Sequence, residues 1–326
     1  MQQRIGNLES MKLGNTKVIS FINLKGGVGK TTAAVNVAAT LAHSCTVIQG
    51  SIKKPARVLL IDLDPQSNAS LTLLKPEEYD ASKTIVNLFK YELSRNDSDE
   101  SFDLGEIRVT PISGLNLDLI PSGLDLFDIQ DELVKYQRYY LSATDILFNA
   151  LNKLRESKER AYTHIIIDCP PSLGLVTLNG LSLSNYYIVP TLLDAYSHWG
   201  LNKIIDRVDT LKRCKASCEA ELLGILYSRV DARAINENQR WQQSFQAWED
   251  ENQHRFKKLL KSGSERVVFN TEISNADVIR KAEAEHRPLV AYEPPDHNIR
   301  KAQAKGQQEW VKLAGEILDR IKQMKS

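Results

Sequence analysis

The residues best placed to do chemistry are eight in a row, Lys25-Gly26-Gly27-Val28-Gly29-Lys30-Thr31-Thr32. They follow an apolar run, Val18-Ile19-Ser20-Phe21-Ile22. Glycines leave backbone N–H groups free to crowd around an anion, because no Cβ stands in the way. A lysine and a hydroxyl residue at the end of such a loop suit a bound triphosphate. Lys30 is placed to reach the β- and γ-phosphates and the Thr31 hydroxyl to hold Mg²⁺. A helix starting near Thr31 would add its positive dipole end. In the common loop pattern, G-x-x-x-x-G-K-[ST], the first glycine position here holds Leu24. Lys25 has no counterpart in that pattern, so the loop carries one cation more than usual.

Two acidic motifs follow in order. Asp62-Leu63-Asp64-Pro65-Gln66 closes the apolar run Val58-Leu59-Leu60-Ile61. Carboxylates two residues apart on a strand point the same way, which would aim both at the phosphate site. An acidic residue there can hold Mg²⁺ through water or orient an attacking water; a strand-ending Asx turn is the plainer alternative. Further on, Ile165-Ile166-Ile167-Asp168-Cys169-Pro170-Pro171 has the form of a Walker B strand that delivers Asp168 to the Mg²⁺ neighbourhood.

With these residues in view, the chain resembles the ParA/MinD superfamily of P-loop ATPases with a deviant Walker A motif, over roughly residues 16–322. Within it, the chain is most similar to ParA/Soj-type partition ATPases that lack an N-terminal helix-turn-helix. The resemblance implies ATP and Mg²⁺ as cofactors, with Gly26, Gly27, Val28, Gly29, Lys30, Thr31 and Thr32 around the phosphates. It implies that Lys25 crosses the interface of an ATP-sandwich homodimer to the partner's nucleotide. Lys25, Lys30 and Asp64 are then the catalytic set, supported by Asp62, and Thr31, Asp64 and Asp168 hold the metal. The stretch Leu173–Asn179 matches the family's second switch, and Asp194 with Tyr196 keeps part of a further motif. Arg233 matches a family arginine that grips DNA without sequence preference. Arg280 and Lys281 lie near a second one, although a solvated charged face completed by Glu283 and Glu285 is the plainer reading. Ser274-Asn275 replace the family's Pro-Arg, which touches adenine. The implied function is a slow, partner-stimulated ATPase that binds DNA and positions or partitions a cargo with a ParB-like adaptor, in the cytoplasm and on the nucleoid. A MinD-like membrane ATPase using the C-terminal helix is the alternative.

Strands must carry these loops. Six apolar runs, at 18–22, 58–61, 117–120, 165–167, 186–189 and 222–226, alternate with helical patterns, and Val267-Val268-Phe269 is a shorter seventh candidate. Near-continuous apolar strands separated by helices predict a doubly wound, mostly parallel α/β sheet with helices on both faces. Such sheets bind ligands at the carboxyl ends of their strands, where every motif above falls. Residues 1–16 are polar and read as a loose N-terminus. Residues 17–326 read as one ATPase domain with additions near 44–56 and 240–262. In the second addition Trp241, Phe245, Trp248, Phe256 and Leu259 fit an amphipathic helix, with Glu249, Asp250, Lys257 and Lys258 on other faces. Packing on the core is favoured there over partner docking. Packing on the core is likewise favoured, here over membrane binding, for the C-terminal stripe Trp310, Leu313, Ile317, Ile321 and Met324, with Lys312, Arg320, Lys322 and Lys325 on its polar side.

Composition sets the outer limits. The 326 residues are 42% hydrophobic, enough for a full core, and carry a net charge of only +1. Any nucleic-acid contact must therefore come from a local patch and not from a global field. Of the four cysteines, Cys45, Cys169, Cys214 and Cys218, no two form a C-x-x-C pair. Cys214 and Cys218 are four apart on an expected helix, and reduced thiols are expected. No apolar run approaches the ~20 residues that span a bilayer.

Overall fold

The computed structural model describes residues 16–44, 56–94, 102–137, 143–152, 162–194, 197–215, 218–256, 259–260, 264 and 266–324. Its centre is a parallel sheet in the order β3-β2-β4-β1-β5-β6. The strands are β1 (Lys17–Phe21), β2 (Val58–Asp62), β3 (Leu117–Ile120), β4 (His164–Asp168), β5 (Tyr186–Thr191) and β6 (Glu221–Tyr227). Each overlaps one of the six predicted runs, β1 ending one residue short of its run at Phe21. The seventh, at 267–269, is not a strand. It reaches the sheet through a single parallel bridge, Ile225 to Val268, held by Ile225 N–H to the Val267 carbonyl and Phe269 N–H to the Ile225 carbonyl.

Side chains alternate across these strands and both faces are buried, which is why the runs are apolar without interruption. Val18, Leu59, Ile61, Ile165 and Ile167 enter one core. It is covered by α3 (Ile85–Ser94), α4 (Leu126–Gln137), α5 (Ile146–Asn152), α6 (Leu175–Leu183) and α7 (Ser197–Cys214). Ile19, Phe21, Leu60, Ile166 and Ile188 enter the other, covered by α1 (Lys30–Ser44), α9 (Asp277–Ala284) and α10 (His297–Gln323). Two further helices are α2 (Asn68–Leu73) and α8 (Ile235–Asn252). Helix α6 is buried at every residue and must pass close to the sheet. A Cβ on its Gly180 would stand 2.9 Å from Leu63 and 3.3 Å from Ile167, so only glycine fits.

The two long amphipathic segments pack on the core, as favoured. In α8, Phe245 and Trp248 are buried, with Phe256 and Leu259 beyond it, and Trp241 carries the Arg240 guanidinium over its ring at 5.1 Å. In α10, Trp310, Leu313, Ile317 and Ile321 are buried, so the stripe offered to the membrane alternative is already covered. Among the described residues no helix is long and apolar enough to cross a membrane.

Three expectations need correction. Glu249 is not on a solvated face: it is buried and accepts hydrogen bonds from Val267 N–H and from Arg266 Nε (3.4 Å). Arg320 is not on a polar side. Its guanidinium is buried, donates to the carbonyls of Leu223 (2.9 Å), Val267 (2.9 Å) and Val268 (2.8 Å), and lies over the Phe269 ring. Glu249 takes Val267 N–H, and Arg320 donates to the Val268 carbonyl, to the Leu223 carbonyl of β6 and, alongside Ile225 N–H, to the Val267 carbonyl, which is why each charge is tolerated inside. Cys218 does not share a helix with Cys214, because α7 ends at Cys214. Of the expected loose N-terminus at 1–16 only residue 16 is described, and of the addition at 44–56 only residues 44 and 56; the rest, with Cys45, lies outside the described residues, as do Tyr196, Lys257, Lys258 and Lys325.

Candidate functional site

The loop from Lys25 to Gly29 leaves β1 at the middle of the sheet, where the strand order changes direction. That crevice is the expected ligand position in an open α/β sheet. Gly27 and Gly29 have φ of 72° and 75°, a left-handed conformation that L side chains disfavour. The loop opens into a cavity of about 530 Å³. Its walls include Gly26, Gly27, Gly29, Lys30, Thr31, Thr32 and Asp64, joined by residues after β6 and along α9.

Lys30 is almost fully buried, and its Nζ donates to the Lys25 carbonyl at 3.0 Å, which folds the loop over it. Burial lowers its proton affinity, while Asp168 and Asp64 pull the other way. Asp168 is fully buried at the end of β4, and neither carboxylate oxygen has a hydrogen-bond partner among the described residues. Burial drives its pKa well above the usual carboxylate range, and the charges of Asp62 and Asp64 add to this; the nearby Thr31 hydroxyl opposes it without meeting full hydrogen-bond geometry. A buried carboxylate with no donor is costly unless a cation joins it. Among the described residues no three His, Cys, Asp or Glu side chains gather as a metal cage. Thr31, Asp64 and Asp168 instead offer a few hard oxygens, which suits Mg²⁺ completed by phosphate and water. The residues present fit that ion.

The paired carboxylates divide their work. Asp64 is part of the cavity wall, and its Oδ1 accepts Gln66 N–H at 3.0 Å in an Asx turn. The turn that was the plainer reading therefore exists, and it aims Asp64 into the cavity. Asp62 does not line the cavity. Its carboxylate is buried and accepts Asp64 N–H (3.0 Å), Ser70 N–H (2.9 Å) and the Ser70 hydroxyl (2.7 Å). The expectation that both point at the phosphates fails because β2 ends at Asp62 and the strand alternation stops there. Burial pushes Asp62 up to about 6 despite these donors. It positions the turn.

Lys25 is about half exposed, and its Nζ pairs with the Asp194 carboxylate of the same chain. Asp194 also accepts from the Ser197 hydroxyl at 2.8 Å. In the second switch stretch, Asn179 is a buried strut, with Oδ1 accepting Leu147 N–H (3.2 Å) and Nδ2 donating to the Ala143 carbonyl (2.7 Å).

Three residues that sequence reasoning left without a site role touch the loop. Ser228 Oγ donates to the Val28 carbonyl at 2.6 Å. Arg229, at φ 55°, donates from Nη1 to the Gly27 carbonyl at 2.9 Å. Glu283 accepts from the Thr32 hydroxyl at 2.8 Å. Glu283 is thus no member of a solvated face; it is half-buried and turned into the cavity. Ser274, at one of the two altered positions, gives its N–H and hydroxyl to Glu309 at 3.0 and 2.7 Å.

The three cations expected on DNA cluster around one acid. Arg233, Arg280 and Lys281 all act electrostatically on Asp277 at the start of α9. Arg233 is 92% exposed and meets Asp231 through Nε and Nη2, both at 3.0 Å. Arg280 pairs with Asp277 and also stands at the cavity wall, and Lys281 is exposed.

Residues 16–220 match the protein-family model described as an AAA domain. The chromosome-partitioning ATPase Soj of Treponema pallidum is 30% identical over 306 residues, 93% of this chain and 98% of that protein. An uncharacterized protein of Mycobacterium tuberculosis is 35% identical over 224 residues, 68% of this chain; the chain covers 61% of that relative's length. Among solved structures, cobyrinic acid a,c-diamide synthase from Mycobacterium smegmatis, with bound ADP and magnesium, matches at a TM-score of 0.58 and 25% identity. That match covers 84% of this chain and 92% of the other.

Proposed function

The chain belongs to the ParA/MinD superfamily of P-loop ATPases, and on that premise we propose that it is a Mg²⁺-dependent partition ATPase. In this reading it forms an ATP-dependent homodimer, binds DNA without sequence preference and positions a cargo with a ParB-like adaptor. Residues 17–326 act as one unit, on the nucleoid in the cytoplasm. The observation that carries the reading is a phosphate loop with two lysines above a buried Asp168 whose carboxylate has no hydrogen-bond partner among the described residues.

ATP lies with its phosphates in the loop from Gly26 to Thr32. The ion, when bound, neutralises charge on the phosphate oxygens. Lys30 holds the terminal phosphates. Asp64, fixed by Asp62 beneath it, orients the water that attacks the γ-phosphorus, giving ADP and phosphate. Lys25 must leave Asp194 to reach a partner's nucleotide, which ties dimer formation to the opening of one ion pair. The cations around Asp277 supply phosphate contacts, which need mobile charge and not a fixed base edge.

The test is binding of the full chain to random-sequence duplex DNA with ATP, ADP or no nucleotide over a salt series, beside Arg233→Ala. Support is ATP-dependent binding that weakens steeply with salt and is diminished in the variant. Equal binding in all three nucleotide states, or none, removes the DNA-surface function.

A further inference from the structure

We propose that Glu283 reads the sugar of the bound nucleotide, its carboxylate accepting hydrogen bonds from the ribose hydroxyls. This rests on the nucleotide reading above and extends it to a residue whose charge has no place among phosphates.

The cavity has two distinguishable ends. At one end Lys30 feels Asp168 and Asp64, the carboxylates suited to the metal. Two residues further along α1, Thr32 turns its hydroxyl to Glu283 Oε1 at 2.8 Å. The terminal phosphates belong with the metal carboxylates, so the path from there toward Glu283 runs from phosphate to sugar. The cavity wall also includes Ile273, Ala276, Ile279 and Trp310, an apolar lining suited to the flat face of a base.

A carboxylate repels phosphate and accepts only, so its ligand must offer uncharged donors. Ribose offers two adjacent hydroxyls at the point where the phosphates end. Thr32 engages Oε1, which leaves Oε2 for a ligand. Arg229 and Arg280 both lie within electrostatic reach of Glu283. They offset its charge beside a polyphosphate, and Arg229 is itself anchored to the loop through the Gly27 carbonyl. Glu283 thus sits on the first neutral part of the nucleotide, held from the phosphate side.

The experiment is calorimetric titration of the full chain in excess Mg²⁺ with ADP and with 2′,3′-dideoxy-ADP, for the native protein, Glu283→Ala and Glu283→Gln. Hydrogen bonds to a charged group predict that the native protein prefers ADP by about tenfold. Glu283→Ala should bring the two ligands within about twofold of each other, chiefly by weakening ADP. Glu283→Gln, which keeps the shape and one acceptor, should leave a preference of a few-fold and guards against a folding artefact. The proposal is overturned if native protein binds both ligands equally, or if Glu283→Ala keeps the native ratio. ADP binding without sugar preference would remove this inference alone. Absence of ADP binding would remove the nucleotide reading with it.

Discussion

Replacing Asp168 by Asn should stabilise the protein without nucleotide and remove its stabilisation by nucleotide. Asp168 is fully buried, and neither carboxylate oxygen has a hydrogen-bond partner among the described residues. An unsatisfied buried polar group loses about 1–3 kcal/mol, and more when charged. Asn keeps the shape and drops the charge, so a gain of about 1–2 kcal/mol is expected near pH 8. At about 2 °C per kcal/mol for a chain of this size, the midpoint should rise by about 2–4 °C. The pH dependence has a definite sign. The folded-state pKa of Asp168 is raised, so the native state binds the proton more tightly than the unfolded one. The carboxyl is harmless below its unfolded value near 4, and its penalty grows as pH climbs from there toward the raised native value. The advantage of Asn should therefore shrink steadily as pH falls from 8 toward 4. Mg²⁺ with ATP at a hundred times its dissociation constant should add about 2.7 kcal/mol to the native protein. It should add almost nothing to the variant, so the ranking of the two inverts. Thermal unfolding at several pH values, with chelator or with Mg²⁺ and ATP, reads all of this. A variant less stable than the native protein in chelator, or one stabilised equally by Mg²⁺ and ATP, would refute the reasoning.

Other perturbations follow from single contacts. Asp231→Asn removes the carboxylate that clamps Arg233; binding to random duplex DNA with ATP should strengthen a few-fold and the salt slope should steepen by about one phosphate contact, as followed by fluorescence anisotropy. Lys25→Ala should keep nucleotide binding and abolish the ATP-dependent dimer in light scattering, whereas a dimer that persists with ATP would free Lys25 from its expected role. Arg320→Met removes the side-chain donors to three carbonyls, of which Val267 keeps a backbone donor, Ile225 N–H. A loss of about 3–5 kcal/mol is expected in urea unfolding, and a loss below about 1 kcal/mol would show that those carbonyls find water instead.

What the sequence determined by itself is the chemistry that lies within a few consecutive residues. Glycines at 27 and 29 allow the left-handed turns of the phosphate loop, and six of the apolar runs mark strands buried on both faces, while the run at 267–269 does not become one. Those signals are local, since backbone sterics and periodicity act over a few residues. They sufficed for the sheet and for the turns of the loop. The limits of local reasoning show at Asp62, where strand alternation placed two carboxylates together and the end of β2 turned one of them under the other. Tertiary structure alone decided which distant groups complete the site. Arg229 reaches Gly27 across 202 residues of sequence, and Glu283 reaches Thr32 across 251. A charged residue in an amphipathic segment reads as solvated, because its hydration is the default. Glu249, Glu283 and Arg320 escaped that default only because packing brought each to partners or to a cavity that offset the loss of water. That balance of desolvation against distant hydrogen bonds has no signature in the spacing of residues along the chain.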